Sequence, residues 1–390
     1  MKEAIRHINR WWLVSLLLVL LTACSDSDSE GGNSPDKPSS ADPVLTFYVY
    51  APERPMITRA SDDDVAANTY ENAIYNLQIW VFETGTNELV GYLNPDTYPT
   101  DDVMGTVYQM TVSKHFANAS PKPNVDVYVV ANANAAGLSS LGENTSREEL
   151  EEAKIGSDYF GVGSPVTNIT TKGLPMSGVL RNQSIIGSEP VLTIGTEETM
   201  AKVRLLRAVS KVRFVFSRET GVSPVTITNI TIDGNMIPTE EYVFLEDNKT
   251  YHIGQTYETL AATLLKKPTG EIKYCDEPTD YVYTDQTSQD YEDYETLIDN
   301  GVSEEKLTQA GPYYFKESDK KISGMITYKV GNALPQSIPF FMTVEDINKR
   351  FVRNHSWIVY AYYNGSSGEP IITVWVDTNW QTGDYFVIEN

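Results

Sequence analysis

The chain has 390 residues and a formal net charge of −23, with 30 Lys and Arg against 53 Asp and Glu. This length suggests two or three domains, and a hydrophobic share of 41% argues against a mostly disordered chain. The acidic balance argues against a nucleic-acid partner, because phosphate recognition needs clustered Lys and Arg. The two cysteines, Cys24 and Cys275, exclude a disulfide framework and a Cys-rich zinc site.

Residues 1–23 are predicted to be a signal peptide. Basic residues precede an apolar run at 11–23, which is too short to span a bilayer as a helix. The run ends Leu-Thr-Ala-Cys, which resembles a bacterial lipobox, so Cys24 is expected to carry a lipid that anchors the mature chain to a membrane. The alternative is an ordinary signal peptide cut after Ala23, with Cys24 incidental.

A polar tether and an isolated strand follow the signal. Residues 24–43 are rich in Ser, Asp, Gly and Pro, as in a flexible linker. Residues 44–50 (VLTFYVY) are β-branched and aromatic, which predicts a strand. A break with two prolines, two arginines and an acidic run comes next, at 51–64. The alternation places three apolar side chains of the strand on one face: Leu45, Phe47 and Val49.

The remainder is dominated by predicted strands separated by turn signals, which indicates β-sandwiches. Helix signals are short: a capping box at Ser146 predicts a helix over 148–154, and two others are expected at 303–309 and 343–350. Residues 156–187 are predicted to be a long loop, and a domain break is placed just before Ala201. The predicted strands are 74–82, 107–112, 125–130, 191–194, 203–216, 225–232, 242–244, 324–330, 337–343, 357–363, 371–376 and 385–388.

No catalytic, cofactor or metal site is predicted. Outside the signal the histidines are His115, His252 and His355, none within five residues of another, and no His-Glu-x-x-His motif occurs. Residues 276–300 are acidic and Tyr-rich, with no Lys or Arg. They are either a calcium or ligand loop or a solvated insertion between strands, and their spacing fits no known calcium loop.

Five segments together resemble the fimbrillin family, the pilin subunits of protease-assembled fimbriae of Gram-negative anaerobes. Each segment is weak by itself, but all five occur in the family's order behind a lipobox. The segments are 74–82 (IYNLQIWVF), 127–133 (VYVVANA), 174–178 (LPMSG), 206–212 (LRAVSKV) and 353–357 (RNHSW).

The resemblance implies two tandem transthyretin-like Greek-key β-sandwich domains, expected at 60–199 and 200–390. It also implies a route: a lipoprotein precursor, carrying palmitate, reaches the cell outer membrane, and an Arg-specific protease removes an N-terminal strand, expected at 44–59. Leu45, Phe47 and Val49 would then fill a groove that later accepts a strand from another copy or a related pilin in an extracellular fimbrium.

Two arginines can be the cut site. Arg54 precedes a proline, which most proteases handle poorly, whereas Arg59 precedes Ala60 and an acidic stretch. We therefore predict cleavage between Arg59 and Ala60. The candidate donor strand lies within 371–390, where three residues alternate on one face: Ile372, Val374 and Val376. The same tail can instead be the last hairpin of the second domain.

The sequence leaves three hypotheses about the function open. The first is a structural, non-enzymatic pilin that supports adhesion, with a host glycan or protein as a further partner. The second is an accessory tip adhesin or lipid-retained anchor of the same fimbriae. The third, of a different class, is a surface lipoprotein that binds or hydrolyses glycans.

Overall fold

A computed structural model describes residues 42–51, 71–100, 105–156, 158–160, 169–196, 199–218, 221, 223–244, 263–264, 308–320, 322–342, 351, 353–354, 356–364 and 371–378. Strands dominate these residues. The helices are α1 (Lys114–Ala117), α2 (Arg147–Glu151), α3 (Ile169–Lys172) and a 3-10 turn at Ala133–Ala135. No described helix is both long and apolar enough to cross a membrane.

Two facing sheets form the first sandwich. One has the strand order β10-β1-β9-β8, with β4 pairing on the other side of β1, and the other has the order β11-β7-β5-β2-β3. They share one core, in which Trp80 and Phe82 are fully buried. The strands are β1 (Val44–Tyr50), β2 (Leu77–Glu83), β3 (Leu89–Leu93), β4 (Thr106–Thr111), β5 (Val125–Ala131), β6 (Lys154–Ile155), β7 (Met176–Gln183), β8 (Ile185–Ser188), β9 (Val191–Ile194), β10 (Lys202–Arg204) and β11 (Leu206–Arg207).

A second pair of sheets follows along the chain. Its orders are β16-β12-β19-β20 and β15-β13-β17-β18, around a core that includes Phe214 and Trp357. The short strand β14 lies in this part of the chain but pairs with β6, and it therefore connects the second sandwich to the first. The strands are β12 (Val209–Arg218), β13 (Val225–Ile232), β14 (Glu241–Tyr242), β15 (Thr263–Leu264), β16 (Thr308–Lys316), β17 (Ile322–Val330), β18 (Gln336–Met342), β19 (Ser356–Asn364) and β20 (Ile371–Thr378).

The predicted all-β fold with two tandem sandwiches is confirmed. The capping box is also confirmed, since Ser146 Oγ accepts from the Glu149 backbone N–H and Glu149 accepts from the Ser146 N–H. Lys202–Arg204 and Leu206–Arg207 pair within the sheets of the first sandwich, and the second pair of sheets begins with β12. The chain passes from the first pair of sheets to the second at Ala208. The domain limits of 60–199 and 200–390 stay a prediction.

Three local predictions were wrong. The loop expected at 156–187 contains β7 and β8, whose Gly, Ser, Asn and Gln residues hide the alternation. The single strand expected at 203–216 is three strands in three sheets, because Leu205 and Ala208 are buried where the chain changes sheet. The helix expected at 303–309 fails at its end, where Thr308 and Gln309 begin β16.

Several predictions fall on residues outside the described part of the chain. These are Cys24, Arg59, Ala60, Cys275, the acidic segment 276–300, the helix at 343–350 and the strand at 385–388.

Asn132 fixes the end of β5 beside the start of β2. It has a φ of 57°, in the left-handed region that asparagine tolerates better than most residues. Its side-chain Nδ2 donates to the carbonyls of Ala73 and Leu174, both at 2.8 Å, and its Oδ1 accepts from the Tyr75 N–H at 2.8 Å. One amide therefore joins three loops at the same end of the sandwich.

Two substitutions of Asn132 separate its backbone role from its hydrogen bonds. Asn132→Gly keeps the left-handed backbone and loses three hydrogen bonds, so we expect the free energy of unfolding to fall by about 2–3 kcal/mol. Asn132→Ala should cost about 1–2 kcal/mol more, because alanine is strained at positive φ. Chemical denaturation measures both values, and a glycine variant as stable as the parent would contradict the bridging role.

Candidate functional site

The first strand lies in the interior of its sheet. β1 pairs antiparallel with β4 on one side, from Val44 opposite Thr111 to Val49 opposite Thr106. On the other side its first half pairs in parallel with β9 and its second half with β10. We call the position between β4 on one side and β9 and β10 on the other the β1 slot. Any strand in it is hydrogen-bonded along both edges.

Three further backbone hydrogen bonds, beside the regular pairing, also hold β1 in its sheet. The Val44 N–H donates to the Pro190 carbonyl at 2.9 Å, and the Tyr48 N–H donates to the Ala201 carbonyl at 3.0 Å. At the far end the Leu205 N–H donates to the Tyr50 carbonyl at 3.1 Å. The backbone of β1 is therefore bound over its whole length.

The inner face of β1 is part of the first core. Leu45, Phe47 and Val49 are fully buried, at the positions that the alternation predicts. The Phe47 and Tyr108 ring centroids lie 6.4 Å apart. Tyr108 donates from its hydroxyl to the Thr97 carbonyl at 2.7 Å, and burial raises the pKa of this phenol well above its ordinary value. A strand leaving the slot would expose all of this apolar surface.

The outer face of β1 carries Tyr48 and Tyr50 beside two basic residues. Tyr48 is the register partner of Lys202, and Tyr50 is that of Arg204. The Lys202 ammonium lies 5.9 Å from the centroid of the Tyr50 ring. The same ring packs on Gly105, whose φ of 63° and missing side chain leave room for it. The outer side of the slot thus combines aromatic packing with positive charge.

A segment joins β1 to the rest of the chain, and the residues at its two ends are both hydrogen-bonded to residues 205–207. The Tyr50 carbonyl accepts from the Leu205 N–H, and the Glu71 carbonyl accepts from the Arg207 Nε at 3.4 Å. Residues 52–70, which include Arg59 and Ala60, run between these two points and lie outside the described residues. The chain leaves the first sandwich and returns to it at neighbouring positions.

Glu71 is the centre of a buried polar cluster between the sandwiches. Its carboxylate lies 2.7 Å from the Lys211 ammonium and accepts a hydrogen bond from the Tyr314 hydroxyl. Both charged side chains are almost completely buried. Burial, followed by the nearby Glu71 charge, raises the pKa of Tyr314 well above its ordinary value, which keeps this phenol a donor. Arg207 completes the cluster, donating from Nη1 to Asn354 Oδ1 at 2.9 Å.

A second buried cluster lies around Arg353. Its guanidinium donates to Glu241 at 2.9 Å, to Glu317 at 3.3 Å and to the Val243 carbonyl at 2.8 Å. Burial raises the pKa of the Glu317 carboxyl, while the Arg353 charge acts against that shift. Glu241 belongs to β14, the segment that pairs with the first sandwich. The Arg353 cluster therefore holds β14, which connects the two sandwiches.

The sequence segments that carry the fimbrillin resemblance meet around these clusters. Segments 206–212 and 353–357 supply Arg207, Lys211, Arg353 and Asn354, and the Ala208 N–H donates to Pro175 of segment 174–178 at 2.8 Å. Sequence reasoning missed Glu71, Tyr314, Glu241 and Glu317. Tyr314 and Glu241 lie within strands and Glu71 and Glu317 lie outside them, and in each case only the distant partner shows why the side chain is buried.

The predicted donor residues Ile372, Val374 and Val376 lie in β20. In this chain β20 pairs antiparallel with β19, from Trp357 opposite Thr378 to Asn364 opposite Ile371. It is the terminal strand of its sheet as described, so one edge of its backbone is paired. In the part of the chain that is described, no group of three or more His, Cys, Asp and Glu residues could hold a metal ion.

Comparison with known families supports the resemblance seen in the sequence. Residues 54–211 match the profile of the family described as major fimbrial subunit protein (FimA). The match contains the predicted cut site, three of the five segments and nearly all of a fourth. The resemblance to the fimbrillin family is thereby confirmed over this part of the chain. The chain's sequence matches no curated protein.

Solved structures are similar to this chain at low sequence identity, and the one with a TM-score above 0.5 supports the fold. A candidate cell adhesion protein from Parabacteroides distasonis superposes with a TM-score of 0.51 at 15% identity, covering 89% of this chain and 99% of that one. One from Bacteroides eggerthii has a TM-score of 0.47 at 17% identity, with coverages of 90% and 98%. The tip fimbrial protein Mfa3 from Porphyromonas gingivalis has a TM-score of 0.46 at 12% identity, with coverages of 87% and 100%.

Removing one partner of the buried Glu71–Lys211 pair should be costly. Glu71→Gln and Lys211→Met each leave a buried charge without its counter-ion, so we expect each to lower the free energy of unfolding by about 3–5 kcal/mol. The double variant should lose clearly less than the sum, because it removes both charges. Chemical denaturation of the purified protein measures the cycle.

The exposed pair between Lys154 and Glu240 provides the matched control. Its atoms are 3.7 Å apart, and both side chains are substantially exposed. Lys154→Met should therefore cost less than about 1 kcal/mol. Equal losses at Lys154 and Lys211, or additive losses in the double variant, would contradict the role given to the buried pair.

Proposed function

The chain is a fimbrial protein, and we propose that it is a pilin subunit that is exported as a lipoprotein, cleaved after Arg59 and polymerised by strand exchange at the β1 slot. One observation carries the proposal. β1 is in the middle of a sheet, yet residues 52–70 are its only link to the chain that follows. A single cut in that link would leave β1 held by non-covalent contacts alone.

The energetics of the slot explain why a released subunit would need a new strand. Burying side chains such as Leu45, Phe47 and Val49 is worth about 1.5–3 kcal/mol each, so their loss costs roughly 5–9 kcal/mol before any backbone pairing is counted. Native domains are stable by only about 5–15 kcal/mol. A subunit with an empty slot would therefore lose much of its free energy of unfolding, and a strand from a second subunit would restore it.

The path of the chain favours a cut that spares the folded subunit. The ends of the linking segment are fixed on residues 205–207, through the Tyr50 and Glu71 carbonyls. The Glu71–Lys211 ion pair would still hold the new N-terminal segment to the second sandwich after cleavage. Arg59 is the preferred site because Ala60 follows it, whereas Pro55 follows Arg54.

The remaining parts of the proposal concern delivery. Cys24 follows a lipobox-like sequence and would carry the lipid that holds the precursor in the cell outer membrane. An Arg-specific protease would release the chain from that anchor together with residues 44–59. The partners in the fimbrium are then other copies of this chain or related pilins, and the fibre supports adhesion.

A tip subunit of the same fimbriae is the second candidate. The pairing of β20 with β19 favours it, because a tip accepts a strand and keeps its own last hairpin. The two candidates differ in whether β20 leaves its sheet, and fibres of this protein alone would decide for the pilin.

Blocking the cut should stop assembly. In cells that express the full chain, Arg59→Ala should leave a lipidated protein starting at Cys24, with no heat-sensitive ladder on an unboiled gel, because β1 stays attached in its slot. Arg54→Ala is the matched control and should assemble as the parent does, with a mature N-terminus at Ala60. Intact mass, N-terminal sequencing and gels of sheared surface fibres provide the measurements. Normal fibres from Arg59→Ala would refute the proposed cut.

A further inference from the structure

A short segment from the second half of the chain completes the core of the first sandwich. Val243 and Phe244 follow β14 directly, between β13 and β15 along the chain, yet both are buried in the first core. We call residues 241–244 the latch. Burial of apolar surface is the dominant favourable contribution to folding, so the first sandwich draws part of its stability from residues outside its own stretch of the chain.

The first sandwich holds the latch through its backbone and through one aromatic ring. Within the latch, β14 pairs with β6, and the Val243 N–H donates to the Ala153 carbonyl at 2.9 Å. The Phe244 ring packs edge-on against the ring of Tyr128 in β5, with the centroids 5.2 Å apart. Edge-on packing of aromatic rings adds to the free energy gained by burying them. Phe244 is therefore the apolar anchor of the latch in the first sandwich.

The second sandwich holds the same segment through Arg353. Its guanidinium donates to the Tyr242 carbonyl at 2.7 Å, to the Val243 carbonyl at 2.8 Å and to the Glu241 carboxylate at 2.9 Å. The Arg353 backbone N–H donates to the carboxylate of Glu317, which directly follows β16, at 3.0 Å. A guanidinium presents its donors in a rigid fork, so these bonds fix the latch in one position.

The residues beside Arg353 connect it to the second core. Phe351 exchanges two backbone hydrogen bonds with Ser318, at 2.7 and 3.2 Å. Its ring stacks on that of Trp357, with the centroids 5.2 Å apart, and both rings are fully buried in the second core. Opening of the second core would therefore displace Arg353 and, with it, the latch.

One backbone oxygen is bound by both sandwiches. The Val243 carbonyl accepts from the Ser177 hydroxyl of β7 at 2.6 Å and from Arg353 Nη1 at 2.8 Å. Separation of the sandwiches would break at least one of these bonds. Because a buried acceptor that loses its donor is costly, this oxygen penalises the opening of either side.

We propose that the latch makes the two sandwiches unfold as one cooperative unit, with Arg353 as its positioning residue. When the second sandwich opens, Arg353 releases the latch, and Val243 and Phe244 lose their hold in the first core. When the first sandwich opens, the Arg353 guanidinium loses the carbonyls that accept from it. Each sandwich thus loses stability when the other unfolds, and this coupling depends on neither cleavage nor strand exchange.

The buried Glu71–Lys211 ion pair also lies between the sandwiches. Because the desolvation of two charges offsets most of their attraction, such a pair contributes little net stability. The latch contributes two apolar side chains to a core, and their burial carries no such cost. We therefore expect the sandwiches to stay coupled in the double variant Glu71→Gln with Lys211→Met.

Hydrogen exchange followed by mass spectrometry in increasing denaturant tests the coupling on the purified full chain. Peptides from β5 report the unfolding midpoint of the first sandwich, and peptides from β13 report that of the second. We expect the two midpoints to coincide in the parent. Phe244→Ala should lower the β5 midpoint below the β13 midpoint, because the first core loses its anchor while the second core keeps all its residues.

Leu192→Ala is the matched control, since Leu192 is fully buried in β9 of the first sandwich and lies outside the latch. It should lower both midpoints together, as any merely structural loss would in a coupled chain. Arg353→Lys keeps the charge but loses the fork, so it should separate the midpoints as Phe244→Ala does. Ser177→Ala removes a single hydrogen bond and should separate them less, and it still reports if the larger changes prevent folding.

Three results would overturn the proposal. The first is a parent chain with two separate midpoints. The second is a Leu192→Ala chain in which the β5 midpoint falls alone, because the sandwiches would then be independent. The third is a set of latch variants whose midpoints stay together, which would place the coupling in other contacts between the sandwiches.

Discussion

The two-sided pairing of β1 is the constraint on which the rest of the structure depends. A strand at the edge of a sheet can leave at the cost of one ladder, but β1 has β4 on one side and β9 and β10 on the other. Its loss would open two unpaired edges and the core behind them, through the fully buried Leu45, Phe47 and Val49. Because unpaired backbone edges recruit strands, a sheet without β1 would need another strand in the same position.

The buried clusters hold one edge of the β1 slot in place independently of β1. One edge of the slot is β10, and Arg207 follows it within three residues, held by Asn354 and by the Glu71 carbonyl. Glu71 is in turn paired with Lys211 of the second sandwich. These contacts fix the slot edge to elements that do not include β1. Buried ion pairs contribute little net stability compared with apolar packing, but they favour one geometry over others.

Much of this fold could be predicted from the sequence, and the exceptions have a common cause. The alternation of apolar residues predicted β1 and its inner face, because side chains at every second position of a strand point to the same side of the sheet. Alternation failed at 203–216, where three strands join three sheets, since the choice of sheet depends on β1, β7 and β19 and not on local residues. Glu71 escaped notice for the same reason, because its partner Lys211 is 140 residues away.

The covalent link at 52–70 favours β1 over any strand of another molecule in the slot. While it is intact, β1 competes as an intramolecular ligand, and a tether gives an effective concentration on the order of millimolar. A strand of another molecule, present at a lower concentration, would displace it only by binding the slot more tightly. A cut in the link would remove this advantage and leave the inner-face contacts of β1 unchanged. In the proposed function, proteolysis would therefore act as a thermodynamic switch, because it would lower the effective concentration of β1 without changing the residues that line the slot.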